Sequence, residues 1–467
     1  MRQALCLMLV LAACDRGTIE ADAEAGQDVV ASPDTGAADT AATEDAPAED
    51  DAGADGATSS PDAAPDTGTD AGSPDVGTGS PDAGSGCPEP TGERPQAMGE
   101  LDGVVDEARG RLVMFGGDVG FPVQCQSKPD YNDQTWELDL QCMQWHRLNT
   151  LDEPEPRGRH LAVLDEEKGR MLIFGGRWRK KDTSGDYTLF QDVWAFDLAA
   201  HTWTDVTPKT AGPKARWGTT GAFDAKRRRL IVFAGNTGPS GAIYQPTSDT
   251  WALDVDKGTW SKVDGAGPPA RLFADAVIDA DGDRMIVFGG TADFFGPFLN
   301  DTWALDLATD TWTELHGGGK SAPEPRIRPE LVIDAERGRL VLFAGHDDGA
   351  VGNRNDVWTF NLQSAIWTRR SAGDEQDPTA PAAAFCEFPP NFVVTDRDAP
   401  ERREAHSMLG WAGGDAAVVF GGKTDCGIID DLWTLSLADL SWTEQIEATV
   451  GESCIRAGGE GCHDLCF

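Results

Sequence analysis

The chain has 467 residues and carries 79 acidic against 39 basic side chains, a formal charge of −40. So acidic a chain argues against nucleic acid and against an anionic membrane surface as partners, since both are polyanions. No apolar run reaches the length of a transmembrane helix, which excludes a helical integral membrane protein on the pattern alone.

Residues 1–13 read as a signal peptide. Arg2 precedes an apolar run over 4–13 that is too short to stay in a bilayer as a spanning helix. The run ends in Leu11, Ala12, Ala13 and Cys14, which resembles the lipobox of bacterial lipoproteins. In that family the cysteine is acylated and the leader is cut before it. The resemblance therefore implies lipid attachment at Cys14, with the lipid as the only membrane contact, and export to the bacterial cell envelope, at the outer membrane or cell surface. Multiple acyl chains supply the stable anchoring that one chain does not.

Residues 14–86 follow as a low-complexity segment in which Ser-Pro-Asp recurs at Ser32, Ser60, Ser73 and Ser80. From Asp15 onward it holds 18 acidic residues, a single basic one (Arg16) and no aromatic. Such a composition buries too little apolar surface to offset ordering entropy, and the expectation is a disordered, self-repelling tether. Much of the negative charge of the chain is thereby solvent-facing linker rather than binding surface.

From residue 95 to 445 the chain repeats. A Phe-Gly-Gly or Phe-Ala-Gly triplet closes an apolar run six times, at Phe115, Phe174, Phe233, Phe288, Phe343 and Phe420. Each is followed by a variable loop, then by a tryptophan (Trp136, Trp194, Trp251, Trp303, Trp358, Trp433), and nine residues later by another (Trp145, Trp203, Trp260, Trp312, Trp367, Trp442). One unit shows the physics. Residues 274–279 form a short strand, 279–283 a turn of Asp and Gly, 284–288 a strand buried on both faces, and 302–307 and 311–315 two further strands. A four-strand unit cannot bury its two faces alone, whereas a closed ring of such units can. The expected blades cover about 95–150, 154–208, 213–264, 268–316, 323–371 and 400–445, with an insertion over 371–400 and a tail over 446–467.

The glycine doublet after an apolar strand, together with Trp-x-Leu-Asp-Leu-x-x-x-x-Trp in the outer hairpin, resembles the kelch family over about three quarters of the chain. The resemblance implies an all-β, six-bladed β-propeller with four antiparallel strands per blade. Blades one and six depart from the pattern. Met98 stands where the other blades carry an arginine before the triplet, and Trp411 replaces the aspartate that opens the first turn elsewhere. Each unit holds its four strands in order, so no exchange of strands between the chain ends is needed to close the ring.

Setting aside Cys6 and Cys14, eight cysteines remain, which in an exported chain read as disulfides. Cys386, in the insertion, is expected to bond Cys426, in the loop after the sixth glycine doublet. Cys125 and Cys142 fall at opposite ends of one strand and are not expected to pair. A staple is expected between Cys87 and one of the tail cysteines, Cys454, Cys462 or Cys466.

The loops between second and third strands share one face with the links between blades. On that face lie Tyr131, Tyr187 and Tyr244, the run Arg177, Trp178, Arg179, Lys180 and Lys181, and Phe294, Phe295 and Phe298. Aromatics beside cations in an acidic chain point to a recognition surface. Arg157, Arg216, Arg271, Arg326 and Arg403 are expected near the channel mouth, either as a cationic funnel for a carboxylate or acidic sugar, or in ion pairs with the acids before strand three. Residues 279–283 hold a fragment of a calcium loop without its distal glutamate, and read as a turn. No nucleophile motif is present, and three tyrosines with scattered histidines do not supply the copper site of the radical oxidase among kelch proteins. The expectation is a monomeric binding module for a protein or glycan, with no metal or other cofactor. The alternative is a carbohydrate-modifying enzyme, epimerase- or oxidase-like, with its site at the channel mouth.

Overall fold

The computed structural model of the protein describes residues 86–89, 91–120, 129–181, 183–241, 243–293, 296–347, 351–379, 393–424 and 427–449. The leader, Cys14, the tether, Phe294, Phe295, Cys125, the proposed pair Cys386 and Cys426, and the tail cysteines lie outside the described residues.

Each repeat folds into a meander of four antiparallel strands. In blade four these are Asp275–Asp279, Arg284–Phe288, Thr302–Asp306 and Thr311–His316, paired in sequence order. Blade five (Glu330–Asp334, Arg339–Asp347, Asn353–Asn361, Ile366–Ser371) has nine-residue middle strands. Their extension pairs onward through Arg403–Glu404 to Lys423–Thr424, stitching blade five to the loops of blade six. The six innermost strands are Asp102–Asp106, Leu161–Asp165, Thr220–Asp224, Asp275–Asp279, Glu330–Asp334 and Ser407–Trp411. They neighbour one another in a closed cycle, the last lying beside the first. All six blades are thus built from contiguous strands.

The aspartate that opens the first hairpin does so by bonding within it. The Asp279 carboxylate accepts the Gly282 N–H at 3.0 Å and Arg284 Nε at 2.8 Å. Neighbouring turns also pair across blades: Arg227 bonds Asp283 at 2.7 Å and Arg337 bonds Asp415 at 2.7 Å. Blade six, lacking the aspartate, has its turn amides at Ala412 and Gly413 held by Glu107 of blade one.

The fourth-strand tryptophans fill the space between blades. Each ring packs on the triplet phenylalanine of the preceding blade: Trp203 on Phe115, Trp260 on Phe174, Trp312 on Phe233, Trp367 on Phe288 and Trp442 on Phe343, with centroids 4.6–5.6 Å apart. Trp145 on Phe420 at 4.9 Å closes the ring. Where the preceding blade begins its third strand with threonine, the indole N–H reaches the hydroxyl, as in Trp203 to Thr135, Trp312 to Thr250 and Trp367 to Thr302 at 3.0–3.1 Å. The other blades have Val193, Val357 and Leu432 there. The Nε1 atoms of Trp442 and Trp145, which face Val357 and Leu432, find no partner among the described residues. The third-strand series is not uniform: Trp136 and Trp433 are buried, whereas Trp194, Trp251, Trp303 and Trp358 are half-buried. Trp303 is only half-buried, and its N–H is tied to Asp301 two residues earlier.

Cys87 does not staple to the tail. It forms a disulfide with Cys142, with Cα atoms 5.6 Å apart. Cys142 lies in the turn at 140–143 between the third and fourth strands of blade one, on the face opposite the loops. Residues 86–89 lie beside that turn, and 91–97 lead to the loop face, which takes Cys87 away from the position expected for it.

Candidate functional site at the channel mouth

The five repeated arginines are wholly consumed by the blades. Arg157, Arg216, Arg271, Arg326 and Arg403 are 0–1% exposed. Each forms two parallel bonds to the aspartate two residues before the third-strand tryptophan of its own blade: Asp192, Asp249, Asp301, Asp356 and Asp431, at 2.6–3.0 Å. Each guanidinium also donates to the carbonyl of its own glycine-doublet loop at 2.8–3.0 Å. The same aspartates accept the third-strand indole N–H at 2.7–2.9 Å. Burial works against the Asp356 carboxylate, but Arg326 holds it below the usual carboxylate range. These side chains form no funnel.

The channel itself is lined by one run of three residues from each blade: 100–102, 159–161, 218–220, 273–275, 328–330 and 405–407, around a cavity of about 120 Å³. The outermost ring is Glu100, Arg159, Gly218, Phe273, Arg328 and Ala405, two residues after the arginine position. All six have positive φ, between 50° and 61°. Successive members are joined by backbone bonds: Arg159 N–H to Glu100 O, Gly218 to Arg159, Phe273 to Gly218, Arg328 to Phe273, and Glu100 to Ala405, at 2.8–3.0 Å. These five bonds form a belt that runs around the mouth from Ala405 through Glu100 to Arg328. Only blade three uses glycine; the others hold a side chain in a left-handed conformation that costs on the order of 1 kcal/mol or more.

Two arginines face the mouth from blades two and five, on either side of the Phe273 ring. Arg159 lies 4.6 Å and Arg328 4.1 Å from its centroid. Trp217 packs on Phe273 at 5.5 Å and takes Arg159 and Arg177 on its own ring at 5.1 and 4.4 Å. Glu100, with a fully buried carboxylate, receives Arg159 at 2.5 Å, Lys423 at 2.8 Å and Arg177 at 3.3 Å. Burial raises its carboxyl, but the three cations outweigh that and hold it well below the usual range. Arg328 pairs with Glu404 at 2.5 Å. Burial and the nearby Arg159 both lower its pKa. The mouth thus gathers Arg159, Arg177, Arg328 and Lys423 against Glu100, Glu404 and Asp118. The Nε atoms of Arg159, Arg177 and Arg328 are out of solvent and donate to nothing among the described residues.

The residues singled out on the loop face divide between floor and rim. Tyr131, Tyr187 and Arg177 are buried. Arg177 lies 4.1 Å over the Tyr187 ring, and Tyr131 meets Tyr187 edge-on at 6.4 Å. They form a rigid floor rather than a contact surface. Arg179 stacks on the other side of Tyr187 at 4.3 Å, and Lys181 pairs with Asp130 at 2.6 Å. Lys180 is exposed. Trp178, expected to face solvent, is half-buried in a two-residue strand paired with Thr188–Leu189. Tyr244 joins Trp217 and Phe273 at 5.5 and 6.1 Å, and Phe298 approaches His346. Glu100, Arg159, Trp217, Phe273, Arg328 and Lys423 escaped the sequence reading. The signal for Glu100, Arg159, Phe273 and Arg328 is that the position two after the repeated arginine, or after Met98 in blade one, varies from blade to blade.

Deeper in the channel, Asp102, Asp275 and Glu330 share one level. Each accepts an amide of the next blade: Ala162 at 2.7 Å, Leu331 at 2.6 Å, and Met408 respectively. Burial pushes Asp102 and Asp275 up to about 7, and burial with the nearby Asp275 and Asp102 raises Glu330 well above its usual range. His160 and His406 also line the cavity. Burial pushes His160 down to about 3 and also depresses His406. Among the described residues, no group of three or more His, Cys, Asp or Glu could hold a metal ion.

Comparison with known proteins agrees with this architecture. The model of the KLHDC2/KLHL20/DRC7 Kelch-repeats domain matches residues 85–265 and 227–387, more than half of the chain. The chain belongs to the Kelch-repeat family. Kelch domain-containing protein 10 of Homo sapiens is 25% identical over 321 residues, 66% of this chain and 65% of that protein. The Xenopus laevis protein of the same name is 26% identical over 299 residues, 62% of this chain and 65% of its own length. Putative adagio-like protein 2 of Oryza sativa subsp. japonica is 28% identical over 350 residues, 70% of this chain and 47% of that protein. The match therefore spans less than two thirds of these relatives, and what it shares with them is the Kelch β-propeller, a general protein-interaction module.

Proposed function

We propose that this Kelch propeller is the binding head of an exported, lipid-anchored protein, and that it holds a protein or glycan ligand through an anionic group at the channel mouth. The observation that carries the reading is the pair Arg159 and Arg328, flanking Phe273 on left-handed backbone. Strain held at a ring where glycine would relieve it is a signature of functional placement. The Arg159 and Arg328 side chains are 10% and 13% exposed, and a guanidinium open at the mouth favours a carboxylate, sulfate or phosphate over a neutral group. The aromatic floor beneath keeps them rigid, which lowers the ordering cost of binding. The Cys87–Cys142 disulfide favours an oxidising compartment, as export would supply. Cys14 is the proposed acylation site.

A glycan array and a pull-down, run with the full chain and with an Arg159→Met/Arg328→Met variant, test the reading. The retained ligand should carry an anionic group, bind more weakly as salt rises, and lose about tenfold or more in affinity for the variant. Unchanged binding by the variant would overturn the site. Labelling with radioactive palmitate, lost in Cys14→Ser, tests the anchor.

A further inference from the structure

Because every blade is built from its own contiguous strands, blades six and one meet at a seam that no shared strand crosses. We propose that residues 86–89 and 91–97 belong to a disulfide-locked strap that holds this seam shut and thereby fixes the mouth.

The strap is tied at both ends. At its start, Cys87 is bonded to Cys142, and Gln144 Nε2 donates to Pro88 O at 2.8 Å, both on blade one. Near its end, Arg94 crosses to blade six. Its Nε pairs with Asp430 at 3.2 Å, Nη1 donates to Glu447 O at 2.8 Å, and Nη2 donates to the Thr449 hydroxyl. Asp430, which is 3% exposed, in turn accepts the Thr449 N–H at 2.8 Å and hydroxyl at 2.6 Å. One arginine thus binds the lead-in to the third strand of blade six and the exit from its fourth.

Beyond residue 97 the strap continues into Met98, whose N–H donates to Ile429 O at 3.3 Å and whose carbonyl accepts the Gly422 N–H at 2.8 Å. Two residues on is Glu100, the carboxylate on which Arg159, Arg177 and Lys423 converge and the link whose N–H joins the belt across the seam to Ala405 of blade six. The Arg94 side chain is 30% exposed, and its ion pair alone would contribute little. The covalent bond supplies what the pair lacks. It closes a loop between residues 55 apart in sequence and confines the strap beside its docking groups. The proposal stands whether or not the mouth takes an anion.

Hydrogen exchange of the full-length chain tests it, comparing wild type with Cys87→Ser/Cys142→Ser and, separately, Arg94→Ala. Exchange at 98–101 and 427–432 should accelerate about tenfold or more in the double variant and less in Arg94→Ala. The seam between blades three and four, at 232–235 and 271–274, should keep its protection. The melting temperature of the double variant should fall by roughly 3–6 °C. Arg94→Ala leaves the disulfide intact, so it reads the seam even if the double variant folds poorly. Wild-type protection at 98–101 in both variants, or equal acceleration at every seam, would overturn the proposal.

Discussion

An arginine with no solvent exposure is tolerated only when its charge and its N–H groups are answered on the spot. Arg403 meets that condition through Asp431, the Gly421 carbonyl and the Glu401 carbonyl. Blade one shows what happens when the pair is given up. Met98 replaces the arginine and Gln134 stands where the aspartate would be, still accepting the Trp136 N–H at 2.9 Å. A neutral acceptor is kept for the indole and no lone carboxylate is left behind. Arg403→Met should therefore cost about 3–5 kcal/mol, because Asp431 is left buried and uncompensated. Adding Asp431→Gln should return stability to within about 1–2 kcal/mol of wild type. Chemical denaturation of the three variants checks this, and a double variant no better than the single would count against it. The repetition of Arg157, Arg216, Arg271, Arg326 and Arg403 made these residues visible in the sequence. Arg159, Phe273 and Arg328 were not, because a functional position in a repeat array differs from blade to blade and no period marks it.

At the scale of the strand, the two tryptophan series look alike in sequence but do different work. A fourth-strand tryptophan is a wedge between blades. Trp203 is 3% exposed, packs against Phe115 and Phe196, and reaches Thr135 of blade one. Trp203→Ala should cost about 3–5 kcal/mol, the range for truncating a buried aromatic. Trp178→Ala, in a half-buried two-residue strand, should cost about 1 kcal/mol or less. Equal unfolding midpoints for the two would contradict the assignment. The four-strand meander was readable because glycine doublets, turn aspartates and apolar runs each report a local constraint. Which face an indole covers depends on the neighbouring blade, so repetition alone does not separate the half-buried Trp303 from the wedge at Trp203. The position of Cys87 depends on the path of a non-repetitive strap, so no spacing could place it.

Over the whole molecule, the closed ring forces six inner strands together and buries ionisable groups along the channel. Asp102 and Asp275 titrate at about 7 in the fold, against 3.8 for a free carboxyl, because burial disfavours their charge. Their contribution to stability is fully present below about pH 4 and is lost as pH climbs to about 7. His160 and His406, depressed by burial, act in the opposite sense and lose their contribution as pH falls below 6.5. The two effects separate by substitution. For Asp102→Asn/Asp275→Asn, the melting temperature relative to wild type should rise steadily between pH 4 and pH 8. A difference independent of pH would mean that both carboxylates stay ionised. The same closure brings Arg159 and Arg328 to the Phe273 ring, where the proposed anion site lies. The most direct measurement is a hydrogen-exchange footprint of the ligand-bound chain. Protection confined to 157–160, 271–274 and 326–330 is the expected result. Protection at the opposite turns, 198–201 and 255–258, with the mouth unchanged would contradict the account.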